Sequence, residues 1–300
     1  MKQFDFCIMT PSYAPDFHRC KVLAWSVQAF VSPLVKHYII VPEADVSLFK
    51  QIEQPNVEVI TVESILPVWI KRIPWLNSLW FSRKHFGKNF LIRGWIIQQI
   101  IKLATAEYLT EDVFVIVDSD IAFIRPFDLQ NFIDDEKVRL FKVPAESSVQ
   151  SEIGNRWYRT AHNLLGLENF TLPVPGYIAP IITWRRDNLL KLYEYIEKQT
   201  GKKWIEAVCD GWDLSEYMIY GVFVEKVLQE TSGHYYNSKR LSHEYWSTEP
   251  MTNEELNQFF VDNLSEDFAV MISAKANISM QQYEKLIKGF YESELLMVNS

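Results

Sequence analysis

Two aspartates one residue apart, Asp118 and Asp120, close an apolar run in the segment VFVIVDSDIAFIRPF, residues 113–127. In an extended segment, residues i and i+2 point to the same side, so both carboxylates can face one cation. Mg2+ and Mn2+ take oxygen ligands, and Mg2+ commonly joins one or two carboxylates to substrate phosphates. The bare pattern says little, because 14 Asp in 300 residues produce it by chance roughly 0.7 times. Its context says more: in open α/β sheets, ligands sit outside the carboxyl ends of the strands. An acidic cap at a turn or helix start is the structural alternative.

A second signal is electrostatic. Residues 64–106 contain no Asp or Glu but hold Lys71, Arg72, Arg83, Lys84, Lys88, Arg93 and Lys102. Removing those seven charges from a net charge of −8 leaves −15 for the rest of the chain. A basic stretch in an acidic protein points to an anionic partner such as a diphosphate, a lipid headgroup or an anionic glycan. A solvated basic loop is the competing account. The overall acidity argues against nucleic acid as a partner.

The elements that must position these groups read as α/β. Residues 4–10, 37–42 and 57–62 are apolar strand patterns, separated by helical patterns at 16–30 and 44–52. That alternation implies a parallel sheet with right-handed crossovers. Residues 67–89, rich in aromatics and interrupted by proline and glycine, read as a long mobile excursion. A strong helix over 94–109 leads into the strand 113–118, whose carboxyl end carries the acidic pair. The second half is more mixed: a strand at 138–144, a helix at 151–165, a strand at 181–184, and helices at 187–199 and 214–229. Thr252 and Glu255, then Ser279 and Gln282, have the spacing of capping boxes before two further helices.

With these residues in view, the chain resembles the GT-A-type glycosyltransferases that use nucleotide-diphosphate sugars. It is most similar to a bacterial glycosyltransferase-like group of largely uncharacterised function. Four segments carry the likeness: TPSYAPDFHRC, RGWIIQQIIKL, VDSDIAFIRPF and SEYMIYG, in that order across residues 10–221. The resemblance implies a single GT-A-like domain over 1–300, with a nucleotide-sugar-binding half to residue 125 and an acceptor and catalytic half after it. It implies Mn2+ or Mg2+ on Asp118 and Asp120 beside Ser119, with His243 as a third ligand and His234 as its rival. Pro11, Ser12 and Tyr13 would form the nucleoside loop, with Tyr13 stacking on the base and Ser12 either a ligand or a turn residue. Asp16 either accepts a ribose hydroxyl or caps the helix after it. Arg93, Gln98 and Lys102 would present polar groups to the diphosphate or donor sugar; a wet stripe on an amphipathic helix is the alternative for the latter two. Glu216 would be the general base, with Asp213 and Asp210 as rivals and Ser215 or Asp213 as helix caps. Gly176, Tyr177 and Tyr217 would lie on the acceptor side.

Composition bounds the setting. Hydrophobic residues make up 48% and charged residues 23%, enough for a sizeable core. The three cysteines are odd in number and form no C-x-x-C, so a reducing compartment is expected. No long apolar leader or span of about 18 apolar residues is visible. The expectation is a cytoplasmic protein, touching the inner face of a membrane through the basic aromatic segment 69–95. The reaction expected is sugar transfer from a nucleotide-diphosphate sugar to a glycan or lipid-linked saccharide. Two other readings stay open: a nucleotide- or sugar-binding protein without transfer, and a haloacid-dehalogenase-type phosphatase. The phosphatase motif sits poorly here, since Ala122 follows where Thr or Val is usual and no G-D-x-x-x-D exists.

Overall fold

The computed structural model describes residues 4–73, 79–82, 91–211 and 213–298. In chain order, the strands that matter to the site are β1 (Phe6–Pro11), β2 (Lys36–Val41), β3 (Val57–Thr61), β4 (Val113–Val117), β5 (Ile121–Phe123) and β6 (Lys137–Phe141), then β7 (Ile181–Arg185), β8 (His234–Asn237), β9 (Ser242–Tyr245) and β10 (Ala269–Ile272). The helices are α1 (Phe17–Ser26), α2 (Gly94–Tyr108), α3 (Glu152–Leu164), α4 (Arg186–Thr200), α5 (Glu216–Val222), α6 (Asn253–Val261) and α7 (Met280–Val298).

The central sheet has the order β7-β4-β1-β2-β3. β1 to β4 run parallel, and β7 lies antiparallel along β4. Strands buried on both faces read as continuous apolar runs, and β1 and β4 are buried throughout. Alternate residues feed two cores: Cys7, Met9, Phe114 and Ile116 pack towards α2 and α5, while Ile8, Val115 and Val117 pack towards α1. β2 pairs on one side of β1 and β4 on the other, with Met9 opposite Ile116. The chain order reverses at this point, so the loops after β1 and β4 diverge and open a crevice between them.

The apolar run after Asp120 leaves this sheet. β5 pairs with β10, which in turn pairs with β9, in a separate three-stranded sheet. β6 pairs with β8 in another. The stretch read as a mobile excursion differs most from expectation. Ile70–Arg72, Leu79–Ser82 and Leu91–Arg93 form an antiparallel sheet, with Ile70, Trp80 and Ile92 turned into the core. Its alternation of apolar and polar residues is a strand pattern that the prolines and glycine obscured. Residues 74–78 and 83–90 of the proposed membrane-contacting segment, with Arg83, Lys84 and Lys88, lie outside the described residues.

The expected helices at 16–30, 94–109, 151–165 and 187–199 fall on α1, α2, α3 and α4. The helix expected over 214–229 is α5, which continues as a wider turn through Phe223–Leu228. The box at Thr252 and Glu255 is formed in both directions ahead of α6. At the start of α7, the Ser279 N–H donates to Gln282 Oε1 at 2.8 Å. Among the described residues no helix is long and apolar enough to cross a membrane.

α5 is held by a close approach. A Cβ on Gly221 would stand 2.3 Å from Tyr177 Cγ, so the tyrosine ring lies flat on the helix backbone. Gly221→Ala should therefore lower stability by about 1–3 kcal/mol, because overpacking outweighs the gain of up to about 1 kcal/mol from helix propensity. Chemical denaturation reads this directly; an unchanged or raised midpoint would contradict the packing.

Candidate active site

The site is organised around one buried ammonium. Lys102, on the sheet-facing side of α2, places Nζ 2.9 Å from Asp118 Oδ1, 3.1 Å from Glu216 Oε1 and 2.8 Å from the Tyr217 hydroxyl. It also lies 4.7 Å from the centre of the Tyr217 ring. The Lys102 and Glu216 side chains are only 8% and 4% exposed, whereas Asp118 is 45% exposed. Burial would pull the Lys102 ammonium down, but Asp118, Tyr217 and Glu216 together hold it well above its ordinary value. Burial pushes the Glu216 carboxyl up, against the pull of Lys102. Burial and the nearby Asp118 carboxylate also raise the Tyr217 hydroxyl.

The helix α5 delivers Glu216 and Tyr217 because Ser215 stops it there. The Ser215 side chain accepts from the Met218 N–H at 3.5 Å, which leaves Glu216 in the first turn, where negative charge is favoured. Gln99, one turn before Lys102 on α2, accepts the Glu216 N–H at 3.1 Å through Oε1. Its Nε2 donates to the Trp95 carbonyl at 3.4 Å. Gln98 is half-buried, and the side chain that reaches α5 is its neighbour's. Gln99 was legible in principle, since it shares the Lys102 face at i, i+3.

The aspartate pair is not arranged as an extended segment would have it. Ser119 and Asp120 form a turn, in which the Ile121 N–H donates to the Asp118 carbonyl at 3.3 Å. The turn is needed because β4 and β5 belong to different sheets. β10 pins it from the far side: the Ile272 N–H donates to the Asp120 carbonyl at 3.3 Å, and the Ala274 N–H donates to Asp120 Oδ2 at 3.2 Å. Burial, then the charge of Asp118, raises the Asp120 carboxyl to about 7. Ser119 is buried within the turn.

The loop after β1 faces this turn across the crevice. Asp16 stands at the N-terminus of α1 without a capping bond, and its carboxylate accepts from Arg19 at 3.3 Å. Burial raises the Asp16 carboxyl against the pull of Arg19, and Asp118 adds to the rise. Arg19 in turn donates to the Ile278 carbonyl at 2.9 Å. Pro11 ends β1, and Tyr13 is 41% exposed at the mouth of the loop. Of the two readings of Ser12, its surroundings match the turn residue: it is buried with its hydroxyl beside the Cys20 thiol, and its N–H donates to the Ile40 carbonyl at 2.9 Å. Its side chain serves the packing under the loop.

Several other candidates are placed elsewhere. Arg93 is the N-cap of α2, nine residues before Lys102 and so about 14 Å from it along the helix axis. Asp213 accepts from Arg156 Nε at 3.4 Å, and Asp210 pairs with Lys202 at 2.6 Å. Tyr177 is buried under α5 and its hydroxyl donates to Glu225, while Gly176 bridges to Val143 through two backbone bonds. Both are packing positions rather than an acceptor surface. His243 stacks on Phe259 with ring centres 4.3 Å apart, and its strand position faces Val270. Among the described residues, no group of three or more His, Cys, Asp or Glu side chains could hold a metal ion, so His243 does not complete a triad with the aspartates. His234 is bonded by the Tyr220 hydroxyl at 2.7 Å and donates to the Val138 carbonyl at 2.8 Å, a structural position between α5 and β6.

What the protein supplies to a cation is thus two carboxylates, one exposed and one carrying a proton near neutrality. That set suits a divalent ion whose remaining ligands come from phosphate oxygens and water. The Lys102 ammonium beside them can offset developing negative charge, and Glu216 is a carboxyl whose affinity for a proton is raised.

A family model described as a family of unknown function, DUF6492, matches residues 5–294. No curated protein matches the chain in sequence. Among solved structures, mouse xyloside xylosyltransferase 1 is 9% identical, covering 92% of this chain and 100% of that one, at a TM-score of 0.47. An active-site mutant of LgtC is 13% identical, covering 94% and 95%, at 0.48. The bifunctional glycosyltransferase WbbM is 12% identical, covering 91% of this chain and 46% of that one, at 0.49.

The titration of Asp120 has a consequence for stability. Its carboxyl holds a proton to about 7 in the folded chain, but only to about 4 when unfolded. The stabilisation from that proton is complete below about pH 4 and is lost as pH rises through 7. The thermal midpoint of the metal-free protein should fall between about pH 5 and pH 8, and Asp120→Asn should flatten that fall. A pH-independent difference between the two proteins would refute the assignment.

Proposed function

We propose that this chain, which belongs to the DUF6492 family, is a metal-dependent glycosyltransferase of the GT-A type. The observation that carries the reading is the convergence of Lys102, Asp118, Glu216 and Tyr217 beside Asp120, at the crevice where the sheet reverses its strand order. A nucleotide-diphosphate sugar is the donor, and a glycan or lipid-linked saccharide the acceptor. Asp118 and Asp120 would hold Mn2+ or Mg2+, which supplies charge neutralisation to the departing diphosphate.

The chain's own residues do the rest. Tyr13 offers a face for the base, and Asp16 an acceptor for a ribose hydroxyl across the same crevice. Lys102 stands where negative charge gathers on the leaving phosphates, in a water-poor setting that strengthens its field. Glu216, buried and held by Lys102, is the base that takes the proton from the attacking acceptor hydroxyl. The Gln99 side chain and the Ser215 cap keep that carboxylate in place.

A second reading is a binding protein that holds the nucleotide sugar without transferring it. It is favoured by the ion pair itself, because Glu216 must shed its bond to Lys102 before it can act as a base.

Two measurements separate these readings. Calorimetric titration with UDP, GDP and CMP should show binding that strengthens with Mn2+ for one of them. Asp118→Asn and Asp120→Asn should weaken that metal-dependent binding at least about tenfold; binding that is metal-independent, or unaltered in both variants, would sink the proposal. Glu216→Gln should leave donor binding intact and reduce transfer about 100-fold or more. Donor binding by the wild type with no release of sugar to water or to any glycan would leave the binding protein as the answer.

A further inference from the structure

A cavity of about 630 Å3 lies between α3, the residues after β6, the loop 165–175 and the continuation of α5. It is apart from the Lys102 cluster: Glu225 and Lys226 in its wall follow Glu216 by nine and ten residues, about 14 Å along a helix. Its volume is in the range of sites for small organic ligands. The loop over it is fastened rather than loose. Gln150 donates to the Val174 carbonyl at 2.9 Å and accepts the Val174 N–H at 3.1 Å, and Gly176 is bridged to Val143.

The lining has a specific chemical character. His162 is 6% exposed, and burial keeps its imidazole neutral by pulling its pKa down. Nδ1–H donates to the Glu168 carbonyl at 3.1 Å, so Nε2 carries a lone pair. That Nε2 is buried and finds no hydrogen-bond partner among the described residues, a costly state that a ligand hydroxyl would relieve. The ring packs against Tyr158 and Phe170, with centres 4.7 and 4.9 Å away. The lining carries no positive excess: Lys142 and Lys226 both pair with Glu225, at 2.7 and 2.6 Å, and Glu146 and Glu168 are the other charged residues. Among the described residues of the lining there is no surplus cation for a phosphate or carboxylate. Asn169 and Thr171 stand in the lining beside Tyr158, Phe170 and three prolines, a mixture that suits a ligand bearing many hydroxyls on a carbon frame.

From this geometry we propose that the cavity binds a neutral saccharide, the part of the acceptor glycan distant from the reacting hydroxyl, with a sugar hydroxyl donating to His162 Nε2. The assignment to an acceptor rests on the transferase reading; the saccharide site itself does not. The test uses the intact chain labelled with 15N-histidine, titrated separately with lactose, maltotriose, chitotriose, inorganic phosphate and UDP with Mn2+. One of the saccharides should shift the His162 Nε2 resonance, while phosphate and UDP with Mn2+ should not. His162→Phe, which keeps an aromatic ring in the cluster, should weaken that saccharide at least tenfold and leave UDP binding unchanged. The inference is overturned if no saccharide moves the resonance at about 50 mM, where a millimolar Kd would be saturated, or if phosphate moves it as strongly. A saccharide shift in a chain that binds no nucleotide would keep this site and remove the transferase reading.

Discussion

Burying an ammonium is the constraint on which the rest of the site depends. An isolated buried charge costs several kcal/mol, and such a group survives only with close, well-placed partners. Lys102 meets that demand with Asp118 from the end of β4 and with Glu216 and Tyr217 from the start of α5. Three elements far apart in sequence are therefore fixed to one point. The same bonds preset the distances among the polar groups that a substrate would meet, so the cost of ordering them is met in folding rather than in binding.

The neighbouring turn works by the opposite logic. Asp120 is placed close to another carboxylate, and burial together with that charge raises its carboxyl to about 7. One carboxylate is already matched to a cation and the other holds its proton more tightly. The turn that creates this inequality exists because the chain passes from the central sheet at Val117 to a different sheet at Ile121. Pinning by Ile272 and Ala274 from β10 and the residues after it keeps Asp120 at the crevice, although those residues follow it by about 150 positions.

Much of the fold was legible because its strands and helices follow simple periodicities. β1 and β4 are buried on both faces and read as apolar runs, and the alternation before residue 62 implied a parallel sheet. The excursion at 67–89 was misread where composition masked alternation, since Pro and Gly are turn signals whose weight exceeded that of Ile70 and Trp80. In the site, Asp118, Lys102, Glu216 and Tyr217 were each identifiable from residue type and position. Their joining was not, because the parts lie 16 to 115 residues apart. Tyr177 was placed on the acceptor side, yet its ring fills the space left by Gly221 on a helix 44 residues later.

The sequence by itself determined the class of sheet, the strand end where the aspartates stand and the excess of positive charge in the residues that precede them. Those follow from local period and composition, which need no knowledge of distant partners. Only the tertiary structure decided that the aspartates sit in a turn rather than along a strand, that Gln99 rather than Gln98 touches α5, and that His243 stacks on Phe259 instead of joining the pair. The reason is physical. Which face of a helix meets which strand end, and which histidine is satisfied within its own sheet, are set by packing between elements, and a single chain read in order carries no record of those pairings.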